Sequence, residues 1–144
     1  MERTLRFIVV AFAIALVSAV IMHPHFGQSA NPSVYDPQTV ITVYGRVERL
    51  TKLPGIGPGG PHEMDWVVIL KSDQGNITVH LGPAWYLSQK RFSPNVGDML
   101  GVIGSKITQN GRTVVVSREV TKNGETLRLR DDQGFPLWKV SNPK

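Results

Sequence analysis

Hydrophobic and polar positions fall into three regimes along the chain. From Phe7 to Met22, FIVVAFAIALVSAVIM, every residue is apolar or small, and Arg3 and Arg6 precede the run. A charged head followed by an apolar stretch is the pattern of an export signal. The stretch is shorter than the roughly 20 residues that a membrane span needs. Cleavage stays open from the sequence. Val17-Ser18-Ala19 suits a signal peptidase but lies inside the apolar run, and Gln28 occupies the −3 place of the later GQSA. Either a removed signal or a retained anchor over residues 7–22 is expected, and both deliver the rest of the chain outside the cytoplasm. The second regime, His23 to Gln38, has no period and is rich in Pro, Ser, Gly and Asn, which predicts a linker.

From Thr39 the pattern alternates. TVITVYGRVERL places Ile41, Val43, Gly45 and Val47 on one face of a strand, with the glycine marking a bend or bulge. DWVVILKS is apolar on both faces and predicts a central strand. NITVHL follows through the turn Asp73-Gln74-Gly75, a three-residue connection that sets His80 opposite Val68 or Ile69. GPAWYLSQKR is the helical candidate, with Pro83 suited to the first helical position. VGDMLGVIGSKIT gives the fourth strand. Two Asn-Gly pairs, Asn110-Gly111 and Asn123-Gly124, then predict tight hairpins. Their registers set Ile107 against Val114, Val120 against Leu127 and Glu119 against Arg128, all sensible partners.

Three strands, a short helix and further strands predict an all-β domain: a small, closed or partly open antiparallel barrel with one short helix between strands three and four. The order resembles the OB fold over about residues 39 to 130, and GDMLGVIGSKI resembles its fourth strand. VHLGPAWYL and LRDDQGFPLW together resemble small exported bacterial OB-like proteins, a likeness that implies fold and export but no chemistry. The expected organisation is a signal or anchor over 1–22, a linker over 23–38 and the barrel with a C-terminal tail over 39–144.

Composition narrows the partners. No cysteine is present, so neither a disulfide nor a lipid-bearing cysteine is available and the core alone must stabilise the domain. The net charge of +5 is mild and spread along the chain. Nucleic-acid binders usually show a denser basic patch, which weighs against that class although the fold suits single strands. The expected partner is an envelope ligand or protein in the periplasm or beyond it.

In OB domains ligands lie across strands two and three, flanked by the loop between strands one and two. Here that loop is KLPGIGPGGPHEM, Lys52 to Met64, too rich in Gly and Pro to join a ladder. Beside it the candidate binding residues are His62, Trp66, His80, Tyr86 and Arg118, for stacking and polar contacts. Trp85 is expected to plug the barrel and Tyr86 to face a ligand. His62 and His80 form a two-ligand metal candidate that lacks a third. Exported haem-handling proteins of the cytochrome-maturation type also combine an anchor with an OB-like barrel. Their His followed four residues on by Tyr is missing, since His80 and Tyr86 are six apart. No nucleophile elbow, cysteine nucleophile or phosphate loop occurs, so no enzymatic activity is expected. The sequence identifies no cofactor. It favours an exported, non-enzymatic binding domain for a small molecule, saccharide or protein, over a metal- or haem-handling accessory and a single-strand binder.

Overall fold

A computed structural model describes residues 35–56 and 64–138. The signal or anchor, most of the expected linker and His62 lie outside them. A 3-10 turn at Pro37–Thr39 leads into β1 (Val40–Pro54), β2 (Met64–Ser72) and β3 (Gly75–Pro83). The helix α1 (Ala84–Gln89) follows, then β4 (Met99–Gln109), β5 (Arg112–Lys122) and β6 (Glu125–Arg128). The sheet order is β3-β2-β1-β4-β5-β6, and its consecutive pairs are antiparallel. A short parallel pairing of Thr78–His80 with Val114–Val116 joins β3 to β5 and closes the sheet on itself. A five-strand ring with one helix between its third and fourth strands is the OB-like arrangement.

β1 makes closure workable by serving two neighbours in turn. Its first half pairs with β4, Val40↔Ser105 to Arg46↔Met99, and its second half with β2, Arg46↔Lys71 to Pro54↔Met64. Gly45 sits at the changeover, where a Cβ would lie 2.8 Å from the Lys71 carbonyl oxygen. Only a residue without a side chain lets β2 approach so closely. The ladder also runs further than the Gly-Pro composition suggested. Lys52, Leu53 and Pro54 pair with Trp66, Asp65 and Met64, because the breakers begin only at the proline that ends β1.

Both Asn-Gly hairpins have the expected registers, and all four turn residues take positive φ. The β2–β3 turn departs from expectation. Gly75 pairs with Ser72, so the turn has two residues rather than three, and His80 falls opposite Val67. A bulge between Trp66 and Val67 then shifts the register by one, setting Trp66 opposite Gly82.

Inside the ring, Val43, Val47, Val68, Leu70, Val79, Leu81, Leu100, Val102, Val115 and Val120 form the core, with Leu87 of α1 beneath them. Each large aliphatic buried there contributes about 1.5–3 kcal/mol. The tail completes the core. Asp131 donates its N–H to the Phe135 carbonyl, and its side chain accepts from the N–H groups of Gln133 and Phe135. This tight reversal lays Trp138 onto the core beside Tyr86, at 5.6 Å between ring centroids.

A second, smaller layer covers the outside of the wall, where Tyr35, Ile56, Ile107, Val114 and Val116 pack together. β2 is apolar on both faces, and Val67 and Val68 are both buried on opposite sides of the strand.

Candidate functional site

His80 lies between Val79 and Leu81, both of which enter the barrel core, so its side chain projects to the outer side of the wall. There it meets Asp65, with His80 Nδ1 3.7 Å from Asp65 Oδ2. That gap exceeds hydrogen-bond reach, and the contact is an ion pair only when the imidazole carries its second proton. Asp65 lies two residues before Val67, the cross-strand partner of His80, and so faces the same side of the wall.

Arg130 enters the same layer from the tail. Its guanidinium is 2 % exposed, donates Nη1–H to the Ser117 carbonyl and lies 4.9 Å over the Trp138 ring. Burial pushes it down to about 10, still charged at neutral pH, and the charge of Asp65 opposes that push. Tyr35 closes the layer from the N-terminal side. The Asp36 N–H donates to Ser105 Oγ at 2.8 Å, and Thr39 Oγ1 bonds the same hydroxyl at 2.9 Å, tying this segment to β4. The Tyr35 ring presses on Gly134, where a Cβ would lie 2.3 Å from it and φ is +92°. Burial raises the Tyr35 phenol above its ordinary value, against the pull of Arg118 and Arg130, so the hydroxyl keeps its proton.

Arg118 joins from β5. It is the extra residue where the β4–β5 register shifts, and its carbonyl accepts from the N–H groups of Leu129 and Arg130. Its Nη1 is 3.6 Å from Asp132 Oδ1, which Arg128 holds more tightly at 2.8 Å. A cation on a strand that otherwise looks buried has its explanation here: the bulge turns it into the outer layer.

The hydrogen bonding of this layer is incomplete. Arg130 Nη2, Asp65 Oδ2 and His80 Nδ1 are buried here without a hydrogen-bond partner among the described residues, while the Arg118 side chain serves the Tyr35 hydroxyl as a donor. Ser117 Oγ and Trp138 Nε1, likewise without a described partner, lie on the core side. Arg130 Nη2 donates, and His80 Nδ1 donates or accepts according to its tautomer. Only the Asp65 oxygen is limited to accepting while ionised. Native structures rarely leave buried polar groups so.

The aromatics form a separate group on the inner side. Trp66 packs half-buried against the core, with its cross-strand neighbour Lys52 placing Nζ 4.8 Å from the ring centroid. Tyr86 is buried, edge-on to Trp85 at 5.8 Å, with Lys90 Nζ 5.6 Å from its ring centroid. The roles expected of the two neighbours are exchanged. Tyr86 and Leu87 face the barrel while Trp85, about 100° round the helix, is 44 % exposed. The five sequence candidates therefore divide: His80 and Arg118 on the outer layer, Trp66 and Tyr86 inside, and His62 outside the described residues. Among the described residues no three His, Asp or Glu side chains converge as a metal site would require. Tyr35, Asp65 and Arg130 are the members that the sequence candidates missed.

The model of the MamS/MamX magnetosome protein family matches residues 39–127. The chain belongs to that family. The matched span of this MamS/MamX chain runs from the start of the barrel into β6, and so contains Asp65, His80, Ser117 and Arg118. Tyr35 and Arg130 complete the layer from outside it. No curated protein matches the chain. Among solved structures it is similar to the dimeric N-terminal domain of the PriB protein from Thermoanaerobacter tencongensis, at 14% identity and a TM-score of 0.46. That match covers 61% of this chain and 99% of the other.

Proposed function

We propose that this MamS/MamX chain is an exported, non-enzymatic binding module. Its OB-like barrel would present the outer layer of β2, β3 and β5 to an oxygen-rich ligand in the periplasm or on an outward-facing membrane surface. The observation that carries this is the group of buried polar atoms at Asp65, His80 and Arg130 that lack a hydrogen-bond partner among the described residues. Buried donors without partners cost about 1–3 kcal/mol each. A group offering acceptor oxygens would satisfy Arg130 Nη2 and, as its Nδ1–H tautomer, His80. Export is supported by Arg3 and Arg6 ahead of the apolar run from Phe7 to Met22.

A metal- or haem-handling role needs His62 beside His80, and His62 lies outside the described residues. The buried charge of Arg130 acts on Asp65 and would repel a cation placed between Asp65 and His80. No observation favours that alternative over the oxygen-rich ligand, and metal analysis of the purified chain tests it directly.

The deciding experiment is native mass spectrometry of the full chain extracted gently from its own envelope, beside His80→Leu and Arg118→Leu. The expected result is a retained mass on the parent that both variants lose while staying folded. A parent that carries nothing, or variants that retain the same mass, would remove the outer layer as the site. A chain recovered wholly from the cytoplasmic fraction would remove export.

A further inference from the structure

A different face of the molecule carries an unspent strand edge. β1 meets β4 along Val40–Arg46 but meets β2 only from Arg46 onward. Among the described residues no strand pairs with the other edge of Val40–Gly45. Val47 aims both backbone groups toward the β4 side, its N–H to the Asp98 carbonyl and its carbonyl to the Gly97 N–H, each at 2.8 Å. Backbone direction alternates along a strand, so Tyr44 and Thr42 aim theirs at the open edge. Proteins usually blunt such edges with charge, proline or cover, because they template pairing with another chain.

Three features mark this edge as more than a bare margin. Tyr44 is 71 % exposed and Met99 54 %, and together they form an exposed apolar ridge along this edge. A groove of about 500 Å³ beside that ridge is lined by Tyr44, Arg46, Lys71, Ser72, Asp73 and Met99. Within it Arg46 and Lys71 are direct cross-strand partners. Like charges set opposite each other destabilise a sheet. Neither is ion-paired with a described carboxylate: Arg46 donates Nη1–H to the Gly97 carbonyl at 2.9 Å, and Asp73 at the groove's rim pairs with neither. A carboxylate brought from outside relieves that repulsion.

We propose that the open edge of β1 at Val40–Gly45 binds an extended, acidic segment of a partner protein by strand addition. The segment pairs its main chain with Thr42 and Tyr44, sets a carboxylate between Arg46 and Lys71, and lays an apolar side chain against Tyr44 and Met99. Main-chain bonds supply the affinity and the alternating side chains the selectivity, as in other strand-addition sites. The site shares none of its residues with the outer layer of His80 and Arg130, so it stands or falls separately from the binding role proposed above.

The probe is a fluorescein-labelled octapeptide of alternating Glu and Val, titrated into the full chain in detergent micelles and read by anisotropy. Saturable binding is expected, weakened at least tenfold by the double substitution Arg46→Glu, Lys71→Glu. The same variant should gain binding to an alternating Lys-Val peptide. A Glu-Val probe N-methylated at alternate residues should bind at least tenfold more weakly to the parent, a test that needs no change to the protein. Absence of binding at millimolar peptide, equal binding by the charge-reversed variant, or undiminished binding of the N-methylated probe each overturns the proposal. A dimer that Arg46→Glu, Lys71→Glu dissociates would assign the edge to a second copy of the chain and overturn it too.

Discussion

Val79 and His80 are neighbours on one strand and face opposite sides of one barrel wall. Inward, Val79 joins Leu81, Leu70 and Leu87, aliphatic side chains with no exposed surface and no polar atom to satisfy. Outward, His80, Asp65 and Arg130 are buried almost as deeply, at 2–5 % exposure, yet each carries a polar atom without a partner among the described residues. Equal depth thus has opposite energetic consequences. Burial inside is favourable at about 25 cal/mol per Å² of apolar surface. Outside, each partnerless group subtracts about 1–3 kcal/mol. The inner side holds the fold together, and the outer side lowers the stability that the core supplies, as binding sites do.

The largest effect belongs inside. Leu81→Ala removes a fully buried side chain from a closed core, and a loss of about 4 kcal/mol in chemical denaturation is expected. A loss below about 1 kcal/mol would mean that the barrel interior is loosely packed and the contrast with the outer layer overdrawn. Arg130→Met comes next. Methionine keeps the bulk over Trp138 but strands Asp65 without its opposing charge, a loss of about 3 kcal/mol. Adding Asp65→Asn should recover most of it, because the two charges act on each other. Purely additive losses would show that Arg130 is held by packing alone.

His80→Leu separates the two sides most directly. On the outer layer it replaces a partnerless imidazole with an apolar group of similar size, so the midpoint of unfolding should shift by no more than about 1 kcal/mol in either direction. Ligand retention in native mass spectrometry should vanish all the same. A drop in stability as large as that of Leu81→Ala would make His80 a structural residue and end its candidacy.

The inner side was the legible one. Alternation located β1 to β5, and the Asn-Gly pairs fixed two hairpin registers because each glycine and asparagine has to take positive φ. The outer layer depends on features with no sequence period. A two-residue turn in place of three moved His80 opposite Val67, two residues from Asp65 on the same face of β2, and a single-residue bulge at Arg118 interrupts the alternation of β5. Tyr35 sits in a stretch whose composition resembles a linker, yet it is 4 % exposed. Its burial follows from the Asp36 and Thr39 bonds to Ser105, contacts across some 66–69 residues that no local pattern encodes. Arg118 and Arg130, cations among buried neighbours, were the one available signal. A lone charge in an apolar strand is informative because a burial without partners is expensive.

Asp98 and Lys122 supply the control for polar contacts that are satisfied. Asp98 Oδ2 accepts from Lys122 Nζ at 2.8 Å and from the Asn95 N–H at 2.7 Å, and water still reaches both side chains. The Lys122 hydrogen bond, helped by Asn95, holds the Asp98 carboxyl below its ordinary value of 3.8 against a smaller opposing effect of burial. A carboxylate with a lowered folded-state value stabilises fully above its unfolded value, and that contribution disappears as pH falls through the folded one. Solvent screening keeps the size small, so Asp98→Asn should cost no more than about 0.5 kcal/mol at pH 7. The difference between parent and variant should shrink to nothing below the carboxylate range, read from urea midpoints at stepped pH. A cost that persists at low pH would trace the effect to the Asn95 turn geometry instead of to charge. A cost near that of Arg130→Met would mean that exposed and buried ion pairs weigh alike in this domain, and the distinction between its satisfied surface and its partly unsatisfied outer layer would then fail.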